Sequence, residues 1–155
     1  MGASTEGEGK MISAREVTVK YGEVVALEEV TFDVNFPSFL VVMGPNGAGK
    51  TTLLKAMLGL VKPEKGHLYV MGLDVMKEAT YIRRVTGYVP QQDMISKDVP
   101  LKVIDVVLMG TLLRKPFPRI TSKSDLEKAK KALELVDIEH LRDKRFGDLS
   151  GGQRQ

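Results

Sequence analysis

The sequence predicts an α/β fold, and three observations predict it. An apolar run, Phe39-Leu40-Val41-Val42-Met43, leads directly into the glycine-rich octapeptide Gly44-Pro45-Asn46-Gly47-Ala48-Gly49-Lys50-Thr51, after which the pattern turns helical. Short segments rich in Val, Thr and Phe with interleaved polar residues precede that run, as strands do. Beyond about residue 93 the apolar residues recur at helical spacing. At 155 residues the chain is long enough to bury the core of one domain.

Residues 1–10 (MGASTEGEGK) are small, polar and glycine-rich, and are expected to form a disordered leader or an alternative start before Met11. From Ile12 the pattern is that of strands. Val17 and Val19 share one face and are followed by a turn at Tyr21-Gly22-Glu23, and residues 24–34 supply a second strand or a pair. Residues 39–43 form a continuous apolar run, the mark of a buried parallel strand. A helix is expected from Thr51 to about Leu60, closed by Pro63 and Gly66. Residues 67–71 then read as another strand, residues 81–84 as a short helix and residues 87–89 as a further strand.

The following stretch is helical. Val103, Val106, Val107 and Met109-Gly110 mark one helix, and Lys115-Pro116-Phe117-Pro118 breaks it. Ser122 or Ser124 caps the next, in which Leu126, Ala129, Leu133 and Val136 fall on one face. Residues 138–141 add a short turn. The organisation expected is a leader over 1–10, a β side with the loop-bearing core over 11–92, and a helical subdomain over 93–155.

Composition removes several classes of function. Apolar content of 43% and charged content of 28% describe a soluble, globular chain. No run reaches the roughly 18 apolar residues of a membrane span, and the N-terminus lacks the layout of a signal peptide. With no cysteine, disulfides and thiolate metal sites are excluded and a reducing compartment fits. A net charge of +3 with Lys and Glu intermixed makes no case for nucleic acid. His67 and His140 lack carboxylate companions at ligand spacing, and there is no Ser-His-Asp set or dinucleotide fingerprint.

The octapeptide matches G-x-x-x-x-G-K-[ST] without a departure. Its glycines let consecutive backbone N–H groups point at phosphate oxygens, and the helix that follows places its positive dipole end at the same spot. Lys50 would reach the β- and γ-phosphates, Thr51 would offer its hydroxyl to Mg²⁺, and Thr52 is placed for an α-phosphate contact. Nearer the C-terminal end, Leu149-Ser150-Gly151-Gly152-Gln153 combines a small hydroxyl with two glycines where a helix could begin, the makings of a second anion site.

A phosphate-binding loop followed about a hundred residues later by L-S-G-G-Q resembles the nucleotide-binding subunit of the ATP-binding cassette (ABC) family, over nearly the whole chain from Ile12. The resemblance implies a P-loop NTPase core with an N-terminal antiparallel β side and a helical signature subdomain. It implies that Ser150, Gly151, Gly152 and Gln153 of one protomer cap ATP held by the loop of a second, head to tail. It also implies that Tyr21, in Val19-Lys20-Tyr21-Gly22, stacks on adenine, a modest attraction of roughly 1–3 kcal/mol. Gly87-Tyr88-Val89-Pro90-Gln91 resembles the Q-loop. Gln91, rather than the adjacent Gln92, would sense Mg²⁺ and the γ-phosphate. The helical subdomain would receive the coupling helix of a membrane permease on the cytoplasmic face. Asp98-Val99-Pro100 and residues 105–110 further resemble the branch serving metal-ion or metal-chelate uptake.

In the family the segment after L-S-G-G-Q supplies an Asp for Mg²⁺, a Glu for the attacking water and a later His. The chain stops at Gln155, so it is expected to be a C-terminally truncated portion, the Walker B half missing, that binds ATP without hydrolysing it. The absent strand would pair beside residues 39–43 and leave an apolar edge there. A soluble ABC ATPase of the DNA or translation type is the alternative. No coiled coil of the length the chromosome-maintenance members need fits between Thr52 and Leu149.

Overall fold

A long antiparallel hairpin organises the first half of the chain. In the computed structural model, which describes residues 9–90, 95–96, 98–112 and 115–154, β1 (Lys10–Tyr21) pairs with β2 (Val24–Asn35) from Tyr21 opposite Val24 to Lys10 opposite Asn35. β3 (Lys65–Val70) joins the other edge of β1, and the short β4 (Leu73–Asp74) joins β3, giving the antiparallel order β2-β1-β3-β4. One face of this sheet is apolar. Ala14, Val17, Val19, Leu27, Leu68 and Val70 pack there against α1 (Lys50–Met57) and α2 (Val75–Val85), which contribute Leu53, Ala56, Met57, Val75 and Ile82. Full burial of a Leu or Ile is worth roughly 1.5–3 kcal/mol before ordering entropy is subtracted, so this cluster is the main store of stability in the first unit.

The chain divides into two compact units, Met1–Gly87 and Tyr88–Gln155. In the second, α3 (Val103–Leu112) and α4 (Lys123–Leu135) pack together with Leu141, Phe146 and Leu149, which lie in or beside two single turns of 3₁₀ helix at Glu139–Leu141 and Phe146–Asp148. An antiparallel bridge between Lys102 and Arg145 fastens the start of α3 to the segment before Phe146. α5 (Gly151–Arg154) follows Leu149.

Several sequence expectations are corrected. Lys10 is the first residue of β1, because its ammonium reaches Asp33 of β2 at 2.7 Å, alongside Arg15 at 2.7 Å and the Ser13 hydroxyl at 2.9 Å. Arg15 first and Lys10 second hold the Asp33 carboxyl well below the usual carboxylate range. Residues 1–8 lie outside the described residues. The run at 39–43 is not a strand: Phe39 is 91% and Met43 83% exposed, and only Val42 packs on the core. Hydrophobicity alone does not make a strand; a backbone ladder must pair its N–H and C=O groups, and the sheet described here offers this run none. Residues 87–89 are likewise unpaired, with Val89 exposed.

The helix expected over 81–84 is longer. Asp74 caps it by accepting from Met76 N at 2.8 Å, so α2 begins at Val75 and kinks at Glu78. In α4, Ser122 and not Ser124 is the cap, and the buried face is Asp125, Ala129 and Leu133; Leu126 lies partly exposed and Val136 is 63% exposed. The face is rotated because Asp125 is drawn inward. Its Oδ2 accepts from Ser122 N at 2.7 Å, from Ser122 Oγ at 2.6 Å and from Lys115 Nζ, while Asp125 N donates back to Ser122 Oγ at 3.3 Å. This is a capping box whose acid is further neutralised by a lysine from the preceding loop.

Lys115, then the two Ser122 donors, lower the Asp125 carboxyl below its ordinary value. A depressed folded value means that the stabilisation is complete above the ordinary carboxylate range and is lost as pH falls below about 4. Urea unfolding at neutral pH should show Ser122→Ala destabilised by about 1 kcal/mol. Between about pH 4 and 2 the wild type should lose stability more steeply than Asp125→Asn.

Candidate nucleotide-binding site

Residues 44–50 join the exposed run to α1, and their geometry is set by how closely the helix meets the hairpin. Gly49 is the N-cap of α1, with φ +80°. A Cβ there would lie 2.4 Å from Ala26 O and 2.7 Å from Leu27 Cδ2, both on β2. No side chain fits, and no L-residue adopts that φ without strain. Leu53 N donates to Gly49 O at 2.8 Å, which starts the helical ladder, and Ala48 N donates to Pro45 O at 3.3 Å, which closes the preceding turn.

The chemistry follows from this backbone. The first-turn N–H groups of a helix have no acceptor inside it. Lys50, Thr51 and Thr52 therefore present theirs toward the loop, at the positive end of the dipole and with no acidic side chain in the first turn. Lys50 Nζ donates to Gly44 O at 2.7 Å and to Pro45 O at 2.6 Å, so its ammonium is folded over the loop rather than extended into water. Gly44, Pro45, Asn46, Gly47, Ala48 and Thr51 are exposed, and Gly49, Lys50 and Thr52 are half-buried. A cation, a row of backbone donors and a helix N-terminus in one exposed loop suit a polyphosphate. The Thr51 hydroxyl is a hard oxygen donor of the kind Mg²⁺ takes, with phosphate and water left to complete an octahedron.

Tyr21 lies at the end of β1, opposite Val24 and 49% exposed. It shares its hairpin with Ala26 and Leu27, the residues against which Gly49 is pressed, so the turn and the loop belong to one assembly. Gln91 and Gln92 lie outside the described residues.

Ser150, Gly151, Gly152 and Gln153 are in the second unit. Gln153 Oε1 accepts from Ser150 N at 3.0 Å and Ser150 Oγ accepts from Gln153 N at 3.4 Å, a reciprocal cap that opens α5. The S-x-x-Q spacing carries this signal in the sequence, beyond the hydroxyl and the two glycines. Leu149, buried beside Phe146 and Leu133, fixes where the motif begins. A cavity of about 260 Å³ behind it is lined mainly by aliphatic side chains, among them Val103, Val107 and Ile138, and lacks the backbone cradle of the glycine-rich loop.

The sequence reading missed Arg83. Its Nη1 donates to Leu58 O at 3.1 Å and to Gly59 O at 3.3 Å, just past the end of α1. Among the described residues no group of three His, Cys, Asp or Glu side chains is placed to hold a metal, and no helix is long and apolar enough to cross a membrane.

The family model described as "ABC transporter" matches residues 27–155. The manganese transport system ATP-binding protein MntB of Bacillus subtilis (strain 168) is 38% identical over 139 residues, covering 90% of this chain and 54% of that protein. The high-affinity zinc uptake system ATP-binding protein ZnuC of the same organism is 36% identical over 148 residues, covering 94% of this chain and 62% of that protein. The chain thus spans little more than half the length of these relatives. Among solved structures, the dimeric post-hydrolysis state of the ATP-binding cassette MJ0796, bound to ADP and Pi, superposes with a TM-score of 0.78 at 28% identity, over 93% of this chain and 65% of that one.

The contact at Gly49 is open to a direct test. Gly47 also has a positive φ, +83°, but a Cβ there meets nothing within 4 Å. Gly47→Ala should cost about 1 kcal/mol of backbone strain, whereas Gly49→Ala should cost about 3 kcal/mol or more. Urea midpoints of the two variants decide it, and equal losses would mean that α1 does not press on β2.

Proposed function

The chain belongs to the ABC transporter family, and on that premise we propose that it is the ATP-binding part of a transporter subunit that couples ATP binding and hydrolysis to import of a metal ion or metal chelate. The observation that carries the reading is the Lys50 ammonium held over Gly44 O and Pro45 O beside the free N–H groups of α1. On arrival of a polyphosphate the ammonium exchanges two neutral carbonyls for anionic oxygens, so that a charge–dipole contact becomes an ion pair. The names of MntB and ZnuC support a metal as the solute.

Within this reading the site residues take separate tasks. Gly44 to Gly49 supply backbone donors, Lys50 holds the β- and γ-phosphates, Thr52 the α-phosphate, and Thr51 with Gln91 the Mg²⁺. Tyr21 stacks on the base. Ser150, Gly151, Gly152 and Gln153 act on ATP held by a second nucleotide-binding subunit, a head-to-tail arrangement consistent with the dimeric cassette among the structural neighbours. The remaining partner is a membrane permease, met through its coupling helix, with the subunit peripheral on the cytoplasmic face. Residues 1–155 bind ATP but do not turn it over, because no Asp or Glu among the described residues of the second unit follows a buried strand to act as base for water.

Titration with a fluorescent ATP analogue tests the reading. Lys50→Ala should weaken binding about 10- to 100-fold, the worth of a charged hydrogen bond, and an unchanged affinity would overturn it. Phosphate release by the 155-residue chain should stay at background; turnover that disappears in Lys50→Ala would show that it is a complete enzyme.

A further inference from the structure

The two ends of α1 are both closed by other parts of the first unit, and only the N-terminal end belongs to the loop. At the C-terminal end, Leu60 N donates to Lys55 O at 2.9 Å and Gly59 N to Ala56 O at 2.8 Å, with Gly59 at φ +62°. This is the glycine-closed helix end in which two of the last carbonyls are satisfied by backbone. Just past the helix, Leu58 O and Gly59 O accept from Nη1 of Arg83 on α2, whose Nη2 also donates to Thr80 Oγ1 at 3.5 Å. A Cβ on Gly59 would sit 2.4 Å from Ala79 Cβ, so α1 and α2 touch where the guanidinium bridges them. Beyond Arg83, α2 ends at Val85 and the chain passes into the second unit at Tyr88.

From this arrangement we propose that Arg83 is a positioning residue that transmits nucleotide occupancy of the loop to α2, the last helix before the second unit. The inference rests on the nucleotide-binding reading and adds a route by which the bound state leaves the site. An eight-residue helix is about 12 Å long. An anion at its N-terminus and a guanidinium at its C-terminal end complement the same dipole, so each favours the ordered helix and they are coupled through that ordering. α1 is too short to be stable by itself and keeps its form through tertiary contacts. A clamp on the carbonyls of the C-cap Leu58 and of Gly59, which close its C-terminal end, therefore ties α2 to whatever orders α1. Arg83 uses two nitrogens, Nη1 for the carbonyls and Nη2 for Thr80, where lysine has one, so lysine keeps only part of the contact.

Hydrogen exchange of the 155-residue chain, with and without a non-hydrolysable ATP analogue and Mg²⁺, separates the possibilities. In the wild type the analogue should slow exchange over residues 44–57 and, about tenfold, over α2. In Arg83→Ala the slowing over 44–57 should persist while the bound-to-free ratio over α2 falls to about one; Arg83→Lys should be intermediate. A merely structural arginine would lower protection of α2 in both states and leave the ratio at its wild-type value, which would overturn the proposal. So would a wild-type α2 that ignores the analogue while 44–57 responds. If 44–57 itself does not respond, the nucleotide-binding reading fails instead. Should circular dichroism show Arg83→Ala unfolded, Arg83→Lys decides alone: an intermediate ratio supports the proposal and a wild-type ratio overturns it.

Discussion

The approach of α1 to β2 at Gly49 is the constraint on which the first unit depends. The glycine lets the helix start against the backbone of Ala26 without a side chain between them. That places Leu53, one turn on, into the same core as Leu27, Val19 and Ile82. Packing and phosphate geometry are therefore not separate achievements. The contact that buries α1 also aims its first-turn N–H groups into the loop and brings the loop to the hairpin that bears Tyr21. A larger residue at this position would move the helix, and with it the donors.

The second unit is organised by caps. Leu133 and Ala129 of α4 meet Val103 and Ile104 of α3, and the rotation of α4 about its axis is set by Asp125, a carboxylate that is buried because three donors reach it. A buried charge is tolerated only when paired and hydrogen-bonded, and here Lys115 and Ser122 supply both. With α4 fixed, Phe146 and Leu149 have a surface to lie on, and the start of the L-S-G-G-Q motif is fixed in turn.

How much of this was legible in the sequence depends on the range of the interaction. The glycine-rich loop, the hairpin through Val17 and Val19 and the helical second half rest on neighbours close in sequence, and those signals were readable. Residues 39–43 look like a buried strand in composition, but pairing is nonlocal and is not written in the run itself. The rotation of α4 was missed because Leu126 competes with Asp125 for the inner face, and a hydrophobicity pattern gives the place to the leucine. Arg83 could not be read at all. Its partners are the carbonyls of Leu58 and Gly59, 24 or more positions away, and backbone acceptors leave no trace in residue type.

The two serine caps of the second unit differ in a way that bears on the proposed function. At α4 the Ser122 hydroxyl donates to Asp125 and also accepts from Lys115. At α5 the Ser150 hydroxyl is used only as an acceptor in the cap, from Gln153 N, and the residue is exposed. A hydroxyl has one proton to donate and two lone pairs to accept with. Binding the backbone through a lone pair therefore leaves the Ser150 proton free for an outside acceptor, while Gln153 Oε1 steadies the Ser150 backbone by accepting from Ser150 N. Gly151 and Gly152, without side chains, keep the approach open. The same local grammar thus gives a cap whose hydroxyl proton is already engaged in one helix and a cap whose proton is not engaged by the cap in the next, and the second is what a residue proposed to meet a phosphate held by another subunit requires.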